Sequence, residues 1–444
     1  MNETEPATTE QIHPRSRRRR TLRILSISAV GVLVVGGAGA GYVYEHLDGN
    51  IRTAPLYTGT TADVEARASA VGTEKPDAFG HTPLNILLIG SDTRSSSADC
   101  GIGGDCGPGA NADVEMLVHL SADRTDATVM SIPRDTMTQL PACTDPATGA
   151  HTSASYGQIN SALQYGPACS VAAVHKLTGI PVDHFAMVDF SGVVKMSDAV
   201  GGVSVCVDNN VYDPYSGLKL AKGTHTLKGQ GALEFLRTRH GFDDGSDLGR
   251  TYAQHVFITQ MVDTVKSAGT LGNPAALWRL ADAATRALTV DTGLGSITKL
   301  IGLAEDLDKV PASRMTFTTM QTHADPEDSN RVVVDARAKL LFDAIRDDRP
   351  LTASAAATAA PSATTPPSAP ATAGPPTGAA TGTPSRSPAP PSPPAALADA
   401  HALTGDQVGS CVHVGTQYTV LINGHGATPV QAYAESPDIR NTAP

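Results

Sequence analysis

Between Phe235 and Arg250 the chain reads FLRTRHGFDDGSDLGR, which gathers Arg237, Arg239 and Arg250 beside Asp243, Asp244 and Asp247. Arg237 and Arg239 are two residues apart, so they project the same way only if that piece is extended. Asp247 can cap a following helix, which leaves Arg250 in its first turn and Gln254 one turn further along the same face. A helix N-terminus flanked by guanidinium forks suits a phosphate group. Arg134, in the run SIPRDT, supplies a fourth guanidinium, and four suit a doubly charged pyrophosphate better than a single carboxylate. The alternative is ordinary surface pairing of these arginines with the three aspartates. Two further acids stand near the ends of apolar runs: Asp92 in GSDTR (90–94) and Asp113 in NADVEML (111–117). They could share a hard divalent cation such as Mg2+, which takes few carboxylates and completes its shell with phosphate oxygens. The alternative for them is a turn-closing Asp92 and a solvent-facing Asp113.

Several chemistries lack their entry motif. The chain has no GxSxG, no Walker loop, no HExxH and no GxGxxG after a strand. A net charge of −11 argues against a general nucleic-acid binder.

The elements that must position these residues alternate between strand and helix. NILLIG (85–90), VEMLVHL (114–120) and TVMSI (128–132) read as buried strands, and Asp92, Asp113 and Arg134 fall at their ends. Strand ends are where α/β sheets bind ligands. VAAVHKLTG (171–179) reads as a helix stopped by Gly179 and Pro181. HFAMVDF (184–190) is strand-like, SGVVKMSDAVGG (191–202) helix-like, and VSVCV (203–207) a strand. GQGALEFLRT (229–238) and RTYAQHVFITQMVDTVKSAG (250–269) read as helices. MTFTTM (315–320) is a strand and ARAKLLFDAIRDD (336–348) a helix. This alternation predicts an α/β layered domain.

Residues 15–23 read RSRRRRTLR, and an uncharged apolar stretch follows from Ile24 to Tyr44. That length suffices to cross a bilayer. The preceding arginines predict a cytoplasmic N-terminus and an outside bulk. The same residues could be a cleaved signal peptide. The expected organisation is therefore a cytoplasmic tail (1–20), a transmembrane anchor (21–44), a juxtamembrane connector (45–80), a catalytic domain (81–349), a disordered Pro/Ala/Thr/Ser linker (350–397) and a short C-terminal segment (398–444). The C-terminal segment is too short to fold alone, so it docks through a disulfide or hangs free. All six cysteines follow the anchor, which suggests disulfides. Of the fifteen possible pairings, the expected one joins Cys143 to Cys169 and Cys206 to Cys411, with Cys100 and Cys106 stapling one loop. Zinc is disfavoured because no CxxC or HxxxH spacing occurs.

NILLIGSDTR, ADVEMLVHL, ATVMSIPRDT, QINSAL, DFSGVVKMSDAVGGV and FLRTRH…DLGR…Q stand in the order seen in LytR-CpsA-Psr (LCP) proteins, and residues 81–270 resemble that family strongly. The resemblance implies an α/β/α sandwich with a central mixed sheet and an apolar lipid cavity, in a membrane-anchored extracytoplasmic transferase of Gram-positive bacteria. Such an enzyme moves a glycopolymer from a polyprenyl pyrophosphate carrier onto peptidoglycan. By motif, Asp92 and Asp113 resemble its Mg2+ ligands. Arg134, Arg237, Arg239, Arg250 and Gln254 resemble its pyrophosphate-binding residues. Arg94 and Asp247 resemble supporting or catalytic positions, and Asp92 or Asp247 could take the acceptor proton. The chain departs from the family at Asn111, where an arginine is usual, and at Tyr252 and Ala253, where basic residues are common. These changes reduce positive charge near the head group. A hydrolase using the same site with water as acceptor, or a non-catalytic lipid-binding protein, would need the same groups.

A reporter enzyme active only outside the membrane tests the topology. Fused after residue 48 it should be active, and fused after residue 20 it should be silent.

Overall fold

A computed structural model describes residues 39, 41–58, 69, 71–76, 80–93, 110–145, 148–267, 273–351, 402–405, 407–408 and 411–443. The chain divides into two units, residues 1–50 and 51–444. In the first, residues 41–50 are helical. Among the described residues no helix is long and apolar enough to cross a membrane. Most of the predicted anchor 21–44 lies outside them, as do Arg94, Cys100, Cys106 and the linker beyond Leu351.

In the second unit the elements that position the site are, in chain order, β1 (Arg52–Ala54), β2 (Leu84–Ser91), β3 (Ala112–Leu120), β4 (Ala127–Ile132), α1 (Pro167–Thr178), β5 (His184–Val188), α2 (Phe190–Ala199), β6 (Val203–Val207), β7 (Gly223–Leu227), α3 (Gln230–Arg237), α4 (Asp247–Ser267), α5 (Pro274–Ala287), β8 (Leu288–Asp291), α6 (Ile297–Asp308), β9 (Met315–Thr319), α7 (Ala338–Arg346), β10 (Leu403–Thr404) and α8 (Pro429–Glu435). Eight strands form one mixed sheet in the order β1-β8-β5-β2-β3-β4-β9-β10. The pairs β1–β8, β5–β2 and β4–β9 are parallel, and the remaining neighbours antiparallel.

Both faces of this sheet are covered, which is why its strands read as continuous apolar runs rather than alternating ones. Leu87, Ile89, Leu117, Met130 and Phe185 pack on one side with α1 and α7. Ile86, Met116, Val118, Val129 and Phe317 pack on the other with the β6–β7 ribbon, α3 and α4. The layers are those of an α/β/α sandwich. Local signals fix the ends of the elements. Pro167 opens α1 at a position that needs no amide donor, and Gly179 closes it with φ of 69° in the left-handed region. The Asp189 carboxylate accepts from the Gly192 amide at 2.7 Å and starts α2.

Three sequence expectations need correction. β5 stops at Val188 because Asp189 caps the next helix, so Phe190 is helical rather than extended. The strand expected at 203–207 forms, and it pairs with β7 outside the eight-stranded sheet and bridges Val412. The helix expected from Arg250 begins at Asp247, and the Ser246 hydroxyl, not Asp247, receives an amide there, from Leu248 at 3.2 Å. Part of the stretch read as a connector is sheet, since Arg52–Ala54 pairs with Thr289–Asp291.

Disulfides join Cys143 to Cys169 and Cys206 to Cys411. The second ties the C-terminal segment to β6, and β10 adds to the sheet edge beside β9. A buried bond also fastens α4 to β4: Ser131 Oγ lies 2.7 Å from His255 Nε2, and burial pulls the His255 ring down to about 3, so it is neutral.

Near the start of this unit, Glu74 accepts from Asn85. Burial first, then the charges of Asp183 and Asp348, push its carboxyl up from 4.5 to about 8. A group whose pKa rises on folding stabilises fully below its unfolded value, and that contribution is lost as pH rises through the folded one. Glu74→Gln keeps a hydrogen-bonding amide without the ionisation. It should raise Tm at pH 8 relative to the parent and change it little at pH 4, as read by thermal melting.

Candidate active site

The site begins with an irregularity in the sheet. Gly90 pairs with Val114 but Ser91 pairs with Ala112, so Asp113 is the extra residue of a β-bulge. Ala112 belongs to one core and Val114 to the other, although residues two apart in a regular strand share a face. Bulges re-aim side chains beside functional sites. Here Asp113 lines a cavity of about 450 Å3 on the α3–α4 side of the sheet.

Arg134, Arg237, Arg239, Arg250 and Gln254 line the same cavity. Arg237 is the last residue of α3, and Thr238 behind it is extended with φ of −62° and ψ of 120°. Both arginines line the cavity although Arg237 is helical rather than extended, because the chain leaves the helix at Thr238. The Arg237 guanidinium sits 4.7 Å from the centre of the Phe190 ring, in cation–π contact. Arg134 donates to Asp113. Arg250 Nη2 lies 2.5 Å from Asp247 Oδ1 and donates to the Asp113 carbonyl at 3.3 Å. Gln254 donates to the Leu236 carbonyl at 3.2 Å, so it braces the end of α3 as well as lining the cavity.

Asp135 holds the cluster from behind. Its carboxylate accepts from Gln158 at 2.8 Å and faces Arg134 Nε at 3.6 Å, Arg331 Nη1 at 3.5 Å and Arg239 Nη1 at 4.0 Å. Burial disfavours the charge on Arg134, but Asp113 and Asp135 outweigh it and hold its pKa above the ordinary value. Burial pulls Arg250 below the usual arginine value; Asp247 opposes this, while Arg134 and Arg239 add to it. Among the described residues, the buried Nε groups of Arg134, Arg239 and Arg250 have no hydrogen-bond partner. Buried donors are normally satisfied. These three residues therefore bring guanidinium groups to one cavity with donors that protein acceptors do not all use.

The rest of the lining is apolar and includes Leu88, Val188, Met196, Leu236 and Ile258. Asp92 does not line the cavity. Its carboxylate accepts from the Asn111 amide at 2.5 Å, and Gln164 donates to Asn111 Oδ1 at 3.0 Å. Asn111 therefore ties the end of β2 to the start of β3. Ala253 is fully buried in the core, so its lack of charge removes nothing from the head-group region. Sequence reasoning missed Asp135, although SIPRDT contains it. It also missed Asp213, His240 and Tyr215, which line the cavity and have no short-range signature.

The LytR_cpsA_psr family model matches residues 56–344. The chain belongs to the LytR_cpsA_psr family. Among its relatives, the cell wall biosynthesis protein LcpA of Corynebacterium glutamicum is 32% identical over 323 residues, which cover 66% of this chain and 58% of that protein. This family member therefore spans less than two thirds of that relative. A polyisoprenyl-teichoic acid–peptidoglycan teichoic acid transferase, TagU of Bacillus cereus, is 28% identical over 230 residues, 51% of this chain and 66% of TagU. A solved LytR-Csp2A-Psr enzyme from Actinomyces oris is 22% identical, with a TM-score of 0.48 over 66% of this chain and 96% of that one.

Gly249 lets α4 start against the arginine loop. A Cβ there would meet the Phe242 carbonyl oxygen at 2.7 Å and the Asp243 Cβ at 2.9 Å. Gly249→Ala should cost about 1–3 kcal/mol of stability and weaken binding of inorganic pyrophosphate in a calorimetric titration. Gly302→Ala, where a Cβ meets nothing within 4 Å, should do neither.

Proposed function

We propose that this chain transfers a glycopolymer from a polyprenyl pyrophosphate carrier onto peptidoglycan and leaves a phosphodiester. The observation that carries the reading is one cavity with two chemistries. Guanidinium groups with unmet donors stand beside apolar side chains such as Leu88, Met196 and Ile258. A diphosphate joined to a long isoprenoid needs both. The naming of family relatives as cell wall biosynthesis proteins and teichoic acid transferases supports the glycopolymer and peptidoglycan partners.

In this reading Arg134, Arg237, Arg239 and Arg250 bind the diphosphate and hold it against the end of the sheet. Their fixed positive charge stabilises the negative charge that moves onto the leaving lipid phosphate. The acceptor hydroxyl attacks the phosphorus that carries the glycan, and polyprenyl phosphate leaves. No nucleotide is consumed, which suits a site outside the membrane with residues 21–44 as its anchor.

Of the pair Asp92 and Asp113 expected to hold Mg2+, Asp113 lines the cavity and would hold the ion there, whereas Asp92 lies outside the lining and accepts from the Asn111 amide. The two lie at the adjoining ends of β2 and β3, and few carboxylate donors suit an ion that retains phosphate and water oxygens. Among the described residues no group of three or more His, Cys, Asp or Glu forms a closed metal cage. When bound, the ion would neutralise phosphate charge. Asp113 also fixes Arg134, so its carboxylate couples the ion to the arginine cluster.

The test uses the full chain in detergent, a polyprenyl pyrophosphate-linked glycan, Mg2+ and peptidoglycan fragments. Transfer should be detected, and Arg237→Ala and Arg250→Ala should each lower it by about 100-fold or more, with melting curves showing that both variants fold. Retained transfer in both would overturn the reading.

A further inference from the structure

We propose that His240 is the general base that accepts the proton of the attacking hydroxyl, with Asp213 as its positioning residue; this rests on the function proposed above. The two aspartates that the sequence offered for this role are poorly placed. Asp247 is held by Arg250 at 2.5 Å, and Asp92 does not line the cavity. His240 does line it, directly after Arg239.

Behind the imidazole stands Asp213, a carboxylate with no solvent exposure. Its Oδ1 accepts from the Tyr215 amide at 3.0 Å and its Oδ2 from the His240 amide at 3.1 Å. His240 Nδ1 lies 3.9 Å from the same Oδ2. That nitrogen is buried and has no hydrogen-bond partner among the described residues, while the side chain as a whole remains 35% exposed. The exposed part of the side chain therefore excludes Nδ1. The Tyr215 ring packs against the imidazole with centroids 4.5 Å apart. Thr419, from the C-terminal segment, donates to the His240 carbonyl at 2.6 Å and holds the loop from its other side. The negative charge of Asp213 on the Nδ1 side favours a proton there, and a modest closing of the 3.9 Å gap would make the hydrogen bond that leaves the Nε2 lone pair free to take a proton.

The charged groups around the ring are Asp213 and Arg239. Burial lowers the imidazole pKa, Asp213 opposes this and Arg239 adds to it, with a net fall. The ring is thus neutral near pH 7 and able to act as a base. In the step, the hydroxyl oxygen bonds to the glycan-bearing phosphorus and its proton moves to His240 Nε2. The bond from that phosphorus to the bridging oxygen breaks, and its electron pair leaves on polyprenyl phosphate.

The experiment compares full-length parent, His240→Gln, His240→Gly, Asp213→Asn and Arg237→Ala. Transfer is measured with a farnesyl pyrophosphate-linked disaccharide and peptidoglycan fragments, and binding with farnesyl pyrophosphate. His240→Gln should lose about 100-fold or more in kcat, bind the probe within about threefold of the parent, and lack the parent's acidic fall in kcat/KM. Added imidazole should restore part of the activity of His240→Gly. Asp213→Asn should lower kcat with KM unchanged. Transfer by His240→Gln within about twofold of the parent would overturn the assignment, as would an unchanged acidic limb with no imidazole rescue. If Arg237→Ala also keeps full transfer, the function proposed above fails; if only His240→Gln stays active, the base assignment alone falls.

Discussion

Like charge forced together is the constraint on which the site depends. Arg134, Arg239 and Arg250 are close enough for their charges to act on one another. Partly removed from water, such groups repel strongly and cannot be left uncompensated. Asp113, Asp135 and Asp247 supply the compensation, each bound to a different arginine edge. The acids hold the guanidinium planes without using every donor. A bound diphosphate would relieve the repulsion.

That arrangement needs a rigid frame, and the sandwich provides one. Arg134 follows β4, Asp113 rides the bulge in β3, and Arg250 sits in the first turn of α4. The buried Ser131–His255 bond locks α4 to β4 and so fixes the separation of Arg134 from Arg250. The loop carrying Arg239 and His240 has no regular structure of its own. The C-terminal segment backs it: the Asp243 amide donates to the His413 carbonyl at 3.0 Å and the Gly415 amide to the Gly241 carbonyl at 3.0 Å. The Cys206–Cys411 disulfide anchors this segment to β6. A stretch that cannot fold alone thus acts as a brace for the loop nearest the chemistry.

The apolar half of the cavity and the core are built from the same residue types. Ile86 and Val118 are buried in the core and do not line the cavity, whereas Leu88 and Val114 on the same face are only partly buried and line it. Strand position, not hydrophobicity, separates them. The cavity is lined by the ends of β2 and β5 together with residues of α2, α3 and α4.

The sequence by itself determined the strands, most helices and the gathering of arginines, because these are local facts. Apolar runs must be buried, glycine and proline stop helices, and three arginines in sixteen residues resist an ordinary loop reading. It offered Cys206–Cys411 as one pairing among fifteen, and the structure selected it. Only the tertiary structure decided which acids serve the arginines and which residues face the cavity. Asp213 meets His240 across 27 residues that include β7 and α3. Asp113 turns inward through a bulge that no residue pattern announces. Ala253, one residue from Gln254, lies wholly in the core. These outcomes depend on distances between elements, and those are set by packing rather than by neighbours along the chain.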